Sequence, residues 1–452
     1  MKKTDTLKIG ISGVRGIIGE SLFPDDAMRF AQAFATFLKK GTVVISSDTR
    51  TSRHILKNAV VSGILSCGLD VIDLDIATTP TSLLAVRHLR AAGGIIITAS
   101  HNPACWNGLK FVSSQGVFLN DKESKAFLSL WKKGNFTLRQ WDALGEHVAF
   151  NDDMRRIHGR RVFSNIDVKK IRNKKFRVVV DCCNGAGSVI TKSFLEDLGC
   201  RVIAINDTPN GVFPHPAEPI PENLAQLARA VRSHGAAIGF AQDPDADRLA
   251  IVDEKGTAIG EENTLALAVR HVLAHKTAGF RKEVVVNLST SRRIEDIARA
   301  FGARLIRTPV GEANVVDALL RRKATVGGEG NGGVIYPAIN PCRDSFVGMG
   351  LVLESLAQEN KSVSALVKKI PSYCMSKTKV SSPRVDVARL ARALRAAFKG
   401  ARFDTQDGVR IDFENAWAHI RPSNTEPVMR IVLEAPTARE IRALHSRIKS
   451  AL

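Results

Sequence analysis

Three stretches of this chain begin alike, and that repetition narrows the folds open to it. Val43-Val44-Ile45-Ser46-Ser47-Asp48-Thr49-Arg50, Val178-Val179-Val180-Asp181-Cys182-Cys183-Asn184-Gly185 and Val284-Val285-Val286-Asn287-Leu288-Ser289-Thr290 each run from a strand into a polar turn. A helix-like stretch follows each, closes on glycine and yields a second strand: Gly68-Leu69-Asp70-Val71-Ile72, Gly199-Cys200-Arg201-Val202-Ile203 and Gly302-Ala303-Arg304-Leu305-Ile306. Each repeat then supplies a third strand that ends in a distinctive loop. Apolar strands alternating with amphipathic helices imply right-handed crossovers and mainly parallel sheet order. The fold class that follows is α/β: three related α/β domains with mixed, mainly parallel sheets, each presenting one loop to a central cleft. The end of the chain differs. Val409-Arg410-Ile411-Asp412-Phe413 and Trp417-Ala418-His419-Ile420 alternate like antiparallel strands, ahead of a polar loop and a terminal helix, which makes a C-terminal α+β domain. A chain of 452 residues is too long for one ordinary core. The expected domains are 1–155, 156–256, 257–370 and 371–452.

The loops carry the chemistry. The first, Thr98-Ala99-Ser100-His101-Asn102-Pro103, follows the apolar run Gly94-Ile95-Ile96-Ile97. Strand ends are where ligands sit in α/β sheets, and Pro103 biases the residues before it away from helix, leaving Ser100 in an open loop. Its hydroxyl can carry a phosphoryl group. The second loop is Asp243-Pro244-Asp245-Ala246-Asp247-Arg248, whose alternating carboxylates can point three hard oxygen donors at one divalent cation. The alternatives are a solvated acidic turn or a calcium-binding EF-hand; the latter is disfavoured, because Arg248 stands where glycine is needed and Leu249-Ala250-Ile251-Val252 reads as strand where a helix is needed. A basic residue beside the carboxylates suits a place where metal and phosphate meet.

The third loop, Gly327-Gly328-Glu329-Gly330-Asn331-Gly332-Gly333, is followed by the strand Val334-Ile335-Tyr336-Pro337, whereas a dinucleotide fingerprint must open a helix. Asn184-Gly185-Ala186-Gly187-Ser188 does open a helix but lacks the glycine spacing, so nicotinamide chemistry is disfavoured. Glu329 and Asn331 could hydrogen-bond sugar hydroxyls; the alternative is a hairpin with no ligand. The fourth loop, Arg421-Pro422-Ser423-Asn424-Thr425-Glu426-Pro427, combines a guanidinium fork with hydroxyl and amide donors, the composition of an anion nest or of a plain polar turn.

Composition places the chain among globular proteins, with 44% hydrophobic and 24% charged residues. Its first residues lack a signal-peptide core and no apolar run reaches membrane-spanning length, so a cytoplasmic location without membrane partners is expected. Seven cysteines without a Cys-x-x-Cys pair read as reduced thiols. The net charge of +20 would steer anionic substrates inward. Between Arg155 and Arg177 ten basic residues are interrupted by just two aromatics, Phe163 and Phe176, which is not the interleaving of a single-strand binder. Arg389, Arg392, Arg395 and Lys399 form the solvent stripe of a helix whose apolar face is Val387, Leu390, Leu394 and Phe398. Nucleic acid is not expected as a partner.

The four loops, in this order, resemble the signatures of the α-D-phosphohexomutases, the superfamily of phosphoglucomutase, phosphomannomutase and phosphoglucosamine mutase, and the likeness covers essentially the whole chain. The resemblance implies an intramolecular phosphotransferase acting on a small sugar phosphate, with a hexose 1,6-bisphosphate as intermediate and activator. It implies that Ser100 is the phosphoserine, and that Asp243, Asp245 and Asp247 bind one Mg²⁺ together with a phosphoserine oxygen. Arg248 would neutralise phosphate charge, and Glu329, with Asn331, would grip sugar hydroxyls. Arg421, Ser423, Asn424 and Thr425 would hold the non-reacting phosphate. Lys110 matches a family position given the role of base, and Arg15 an N-terminal arginine of the same site; His101 either contacts phosphate or braces the loop. Many bacterial members carry serine and histidine where this chain has Asn331 and Gly333, so no role of that histidine transfers. The Gly-Glu-Gly-Asn-Gly-Gly form, with Trp106-Asn107-Gly108-Leu109-Lys110, resembles an archaeal-like branch often labelled phosphoglucosamine mutase. Glucosamine 6-phosphate is therefore the first expected substrate, ahead of glucose and mannose phosphates, in a monomer or homodimer. The rival from another class is a polyanion-binding protein on an inactive mutase fold.

Overall fold

In the computed structural model, which describes residues 6–10, 13–275, 279, 281–381, 386–422 and 428–451, the three repeats adopt one strand order. The opening strand lies in the middle, flanked by parallel partners on both sides. Thr42–Ser47 sits between Asp70–Ile76 and Gly93–Ile97, Arg177–Asp181 between Arg201–Ile205 and Ile238–Gln242, and Arg281–Asn287 between Arg304–Thr308 and Ala324–Glu329. In each sheet a fourth strand then returns antiparallel beside the third: Trp106–Ser113, Leu249–Val252 and Gly333–Ile335. The first sheet is extended further by Gly13–Ile17 and Lys8–Gly10. The return strand has a functional consequence. Every distinctive loop joins a third strand to its return, so both of its ends are anchored in a sheet.

The β-branched runs form strands because both of their faces are buried. Val43, Ile45, Ile95 and Ile97 pack into one cluster with helices Pro24–Leu38 and Arg53–Leu65, while Val44 and Ile96 point the other way, toward Thr79–His88. Helix ends follow local chemistry. Asn120 caps Asp121–Lys133 by accepting from Glu123 N, Glu123 answers as a capping box, and Gly134 closes the helix at φ 70°. The second and third domains share one apolar core, in which Val178, Val180 and Phe240 meet Val284, Val286 and Val326 around helices Glu261–His275 and Ser345–Glu359. Phe346, fully buried, packs edge-on against Phe194 at 5.2 Å between centroids and His158 at 5.1 Å.

The C-terminal unit is a five-stranded antiparallel sheet in the order Cys374–Ser381, Val428–Ala435, Trp417–Pro422, Val409–Asp412, Arg402–Asp404. Helices Val387–Ala397 and Ala438–Ala451 cover it, and Leu390, Leu394 and Phe398 face its core as the helical stripe requires. It docks on the third domain largely through polar contacts. Ser289 Oγ lies 2.8 Å from His419 Nδ1, Arg410 donates to Leu288 O, Val310 N donates to Asp407 at 3.0 Å and Arg292 N to Glu434 at 2.8 Å. Among the described residues no helix is long and apolar enough to cross a membrane.

Because the second and third domains share a core, Phe346→Ala should destabilise both together. The expected loss is about 3–5 kcal/mol. Calorimetry should show one transition for the pair moving down as a unit.

Candidate active site

Each opening strand ends in the same turn. Arg50 N donates to Asp48 Oδ1, Cys183 N to Asp181 Oδ1 and Ser289 N to Asn287 Oδ1, all at 2.9 Å. In two of the repeats the turn side chain also holds the loop after the third strand. Asn287 Nδ2 donates to Glu329 Oε1 at 2.8 Å. Asp48 Oδ2 accepts from Thr98 Oγ1 at 2.6 Å, and Thr98 Oγ1 accepts from Ser100 N at 2.9 Å. Arg50, fully buried, pairs with Asp48 at 3.1 Å and donates to the carbonyls of Ser100, Asn102 and Pro103 at 2.6, 2.7 and 2.6 Å. This clamp stabilises Ser100 at φ +51°, a left-handed conformation that costs a non-glycine residue about 1–2 kcal/mol. The twist delivers the Ser100 hydroxyl to the second domain, where Oγ donates to Asp243 Oδ2 at 2.8 Å.

Asp243, Asp245 and Asp247 are all buried, with one oxygen of each within 4.8 Å of the others. Asp243 Oδ1 accepts from the backbone N–H groups of Asp247 and Arg248, both at 3.1 Å. Asp245 Oδ2 accepts from Thr79 Oγ1 and from Lys110 Nζ, both at 2.6 Å, and Asp247 Oδ2 pairs with Arg343 at 2.5 Å. The remaining oxygens, Asp245 Oδ1 and Asp247 Oδ1, have no hydrogen-bond partner among the described residues; Asp247 Oδ1 meets Arg248 Nε at 4.0 Å. Orphaned buried carboxylate oxygens beside a third carboxylate fit a hard divalent cation. The electrostatics agree. Burial, then the charges of Asp245 and Asp247, push the Asp243 carboxyl far above its usual range, a penalty that a cation relieves. Burial acts the same way on Asp245, but Lys110 outweighs it and holds that carboxyl low.

The other cations ring this centre. Arg15 NH1 donates to Asn102 Oδ1 at 3.2 Å, and Arg248 NH1 pairs with Glu218 at 3.1 Å. His101 is half-buried, with Nδ1 3.4 Å from Ser100 Oγ and Nε2 3.9 Å from Glu218. Burial, then the charges of Arg248 and Arg15, hold His101 well below its usual value, so the ring is neutral.

In the third loop, Glu329 Oε1 takes donors from Asn287 and from Gly311 N at 3.2 Å, and Oε2 from Arg343 at 2.9 Å and Asn331 at 3.4 Å. Asn331 also accepts from Gly333 N, so its amide braces the loop. Arg421 lies buried on the fourth domain's sheet, 3.8 Å from Asp407. Ser423, Asn424 and Thr425 fall outside the described residues. Thus Ser100, His101, Arg15, Lys110, the three aspartates and Arg248 form one cluster. Glu329 joins it through Arg343, and the charge of Glu329 reaches Arg421 on the fourth domain.

Family profiles for phosphoglucomutase/phosphomannomutase match in sequence: alpha/beta/alpha domain I over residues 6–137, domain II over 157–256, domain III over 261–373 and the C-terminal domain over 377–451. The chain belongs to this family. As a phosphohexomutase it is an intramolecular phosphotransferase, of the isomerase class. A relative from Thermococcus kodakarensis named "Phosphoglucomutase/phosphomannomutase" is 38% identical over 442 residues, 96% of this chain and 95% of its own. Another, from Methanopyrus kandleri and named "Probable phosphoglucosamine mutase", is 36% identical over 441 residues, again 96% and 95%. A solved structure of a phosphoglucomutase/phosphomannomutase family protein from Burkholderia thailandensis shares the fold, with a TM-score of 0.86 at 24% identity over 99% of this chain and 97% of its own.

Several working residues lie outside the four loops. Arg50 could have been suspected from Asp48-Thr49-Arg50 directly after a strand. Thr79, Glu218, Glu312 and Arg343 carry no local signal, because they reach the site only through tertiary contacts.

Glu262 lies beneath the third loop, so close that a Cβ on Gly330 would sit 2.0 Å from its Oε1. Burial raises its carboxyl to about 7, with Lys377 opposing. The folded protein therefore holds this proton more tightly than the unfolded chain does. Its contribution to stability is full below about pH 4.5, falls as pH rises toward 7 and is constant above. Glu262→Gln should remove that loss, giving a gain of about 1–3 kcal/mol at pH 8 relative to its effect at pH 5. Urea unfolding of both proteins at the two pH values measures it.

Proposed function

We propose that the protein interconverts a hexose 6-phosphate and its 1-phosphate through phospho-Ser100 and a 1,6-bisphosphate, with glucosamine phosphate as the preferred sugar. The observation that carries this reading is the Ser100 hydroxyl, 2.8 Å from Asp243 and beside the orphaned oxygens of Asp245 and Asp247. The four domains, 1–155, 156–256, 257–370 and 371–452, each contribute one loop. Asp243, Asp245 and Asp247 would hold a divalent cation, Mg²⁺ being the proposed one for an all-oxygen set, and when bound it supplies positive charge against the phosphoryl oxygens.

The chain's own residues account for the protons. As the bond between Ser100 Oγ and phosphorus breaks, a sugar hydroxyl oxygen bonds to that phosphorus. Lys110 is not a base at rest. Burial would lower its ammonium, but Asp245 and Asp247 outweigh burial and hold it above its ordinary value. It therefore stands protonated, and once Asp245 and Asp247 are shared with a cation their hold on its proton would weaken. That suits Lys110 to give the proton to the departing Ser100 Oγ and to recover it when Ser100 is rephosphorylated. Neutral His101 is suited to take the proton of the sugar hydroxyl and to return it to the sugar oxygen released in the second transfer. Arg15 and Arg248 offset the charge that builds on the transferring group. Glu329 already receives four donors, so a sugar hydroxyl would replace the most distant, the Asn331 amide. Arg421, with Ser423, Asn424 and Thr425, is assigned to the non-reacting phosphate. The name of the Thermococcus relative supports a second reading, in which glucose and mannose phosphates are the substrates.

Supplied with Mg²⁺ and a trace of the matching 1,6-bisphosphate, the protein should interconvert glucosamine, glucose or mannose phosphates, and the ranking of rates distinguishes the two readings. Ser100→Ala should lower turnover roughly a thousandfold or more. Undiminished interconversion by that variant would overturn the phosphoserine assignment.

A further inference from the structure

Arg343 lies in none of the four loops, yet its side chain ties two of them together. Its backbone is fixed on both sides: Arg343 N donates to Glu312 Oε1 at 2.8 Å, and Asp344 N donates to Val334 O at 2.9 Å. Asp344 in turn caps the helix Ser345–Glu359 by accepting from Phe346 N and Val347 N, and its other oxygen binds buried His158 at 2.8 Å. From that fixed base the guanidinium divides among three carboxylates. NH2 binds Asp247 Oδ2 at 2.5 Å, NH1 binds Glu329 Oε2 at 2.9 Å, and Nε lies 3.1 Å from Glu312 Oε2.

The path of the side chain depends on one glycine. A Cβ at Gly333 would stand 2.3 Å from Arg343 Cδ and 2.8 Å from its Cγ, so any side chain at that position forces the arginine out of its channel. The pairing leaves a defined remainder on each carboxylate. With Oδ2 of Asp247 engaged by Arg343, the oxygen left over is Oδ1, which belongs to the orphaned set facing the cation seat. With Oε2 of Glu329 engaged, that carboxylate is fixed in both rotation and charge. A planar guanidinium can hold two carboxylates at once in this way; an ammonium cannot hold both with the same geometry.

We propose that Arg343 is a positioning residue shared by the cation seat and the sugar grip, one guanidinium orienting Asp247 for the metal and Glu329 for the sugar hydroxyls. Gly333 is part of the same device, because it supplies the room. The sugar half of this assignment rests on the mutase reading above; the cation half stands on the aspartate cluster alone.

The test reads the two halves separately. Mn²⁺ binding is followed by the loss of the free-ion electron paramagnetic resonance signal, with no substrate present, and KM for the hexose 6-phosphate is measured at saturating Mg²⁺. Arg343→Lys should weaken Mn²⁺ binding about tenfold and raise KM by a similar factor, with the thermal midpoint close to that of the wild type. Gly333→Ala should reproduce both effects, although it removes no charged group. In an Arg343→Ala background, Gly333→Ala should add nothing to the Mn²⁺ penalty, since the Arg343 Cγ and Cδ it would strike are gone and the remaining tight approach, 3.0 Å to Asn331 Oδ1, involves no aspartate. Asn331→Ala, which loses its contacts to Glu329 and to Gly333 N but touches no aspartate, should change KM and leave Mn²⁺ binding unaltered. Wild-type Mn²⁺ affinity in Arg343→Lys, or a full additive Mn²⁺ penalty from Gly333→Ala in the Arg343→Ala background, would overturn the proposal. If the wild type turns over no hexose phosphate, the mutase reading fails, while the Mn²⁺ series still decides the role of Arg343.

Discussion

Three carboxylates buried within a few ångströms of one another are the constraint around which this molecule is arranged. Isolated charges in such a place are prohibitively unfavourable, and like charges make it worse. The structure answers with cations drawn from different parts of the chain. Lys110 comes from the return strand of the first sheet, Arg248 from the aspartate loop itself and Arg343 from the start of a third-domain helix. Thr79, at the head of a first-domain helix, adds its hydroxyl to the Asp245 carboxylate and its N–H to the Asp245 carbonyl. The same contacts that offset the charge hold three domains in register. Compensation is incomplete, and the two carboxylate oxygens left without partners define where a further positive charge belongs.

The loops were readable in the sequence because each is a short run of unusual residues at the end of an apolar strand. Ser100, the three aspartates and Glu329 all fall in such runs. So did the threefold repetition, since Val43-Val44-Ile45, Val178-Val179-Val180 and Val284-Val285-Val286 need no partner to be recognised. What escaped depends on distance. Arg50 looks like an ordinary turn residue until its guanidinium is seen to gather three carbonyls from a loop fifty positions later. Arg343 looks like the flank of a helix cap, because Asp344 is the residue with the recognisable pattern. Val428–Ala435, second in its sheet, is not legible as a strand from its neighbourhood, although Met429, Ile431 and Leu433 alternate inward, because it follows directly on the polar, proline-bounded loop.

Repetition also explains how one architecture serves three different chemistries. In the first and third domains the residue at the end of the central strand does two jobs, closing its own turn and steadying the neighbouring loop. Asp48 does so through Thr98, and Asn287 through Glu329. The second domain keeps the turn at Asp181 but directs the spare capacity to Asn206 and His215, at 3.1 Å each. The scaffold is held constant while, in the proposed function, the loop it carries serves as a nucleophile, a cation seat or a hydroxyl acceptor.

The attachment of the C-terminal sheet differs in kind from the joint between the second and third domains. The second and third domains share an interior of hydrocarbon, and parting them would expose it to water. The fourth meets the third through His419, Arg410, Asp407 and Glu434, polar groups that water can satisfy when the contact opens. For the proposed chemistry this sets up a race. A doubly phosphorylated sugar would have to turn end over end beside Arg421, which rides on a domain joined by a seam of exchangeable hydrogen bonds, so the fidelity of the catalyst would be a contest between tumbling and leakage.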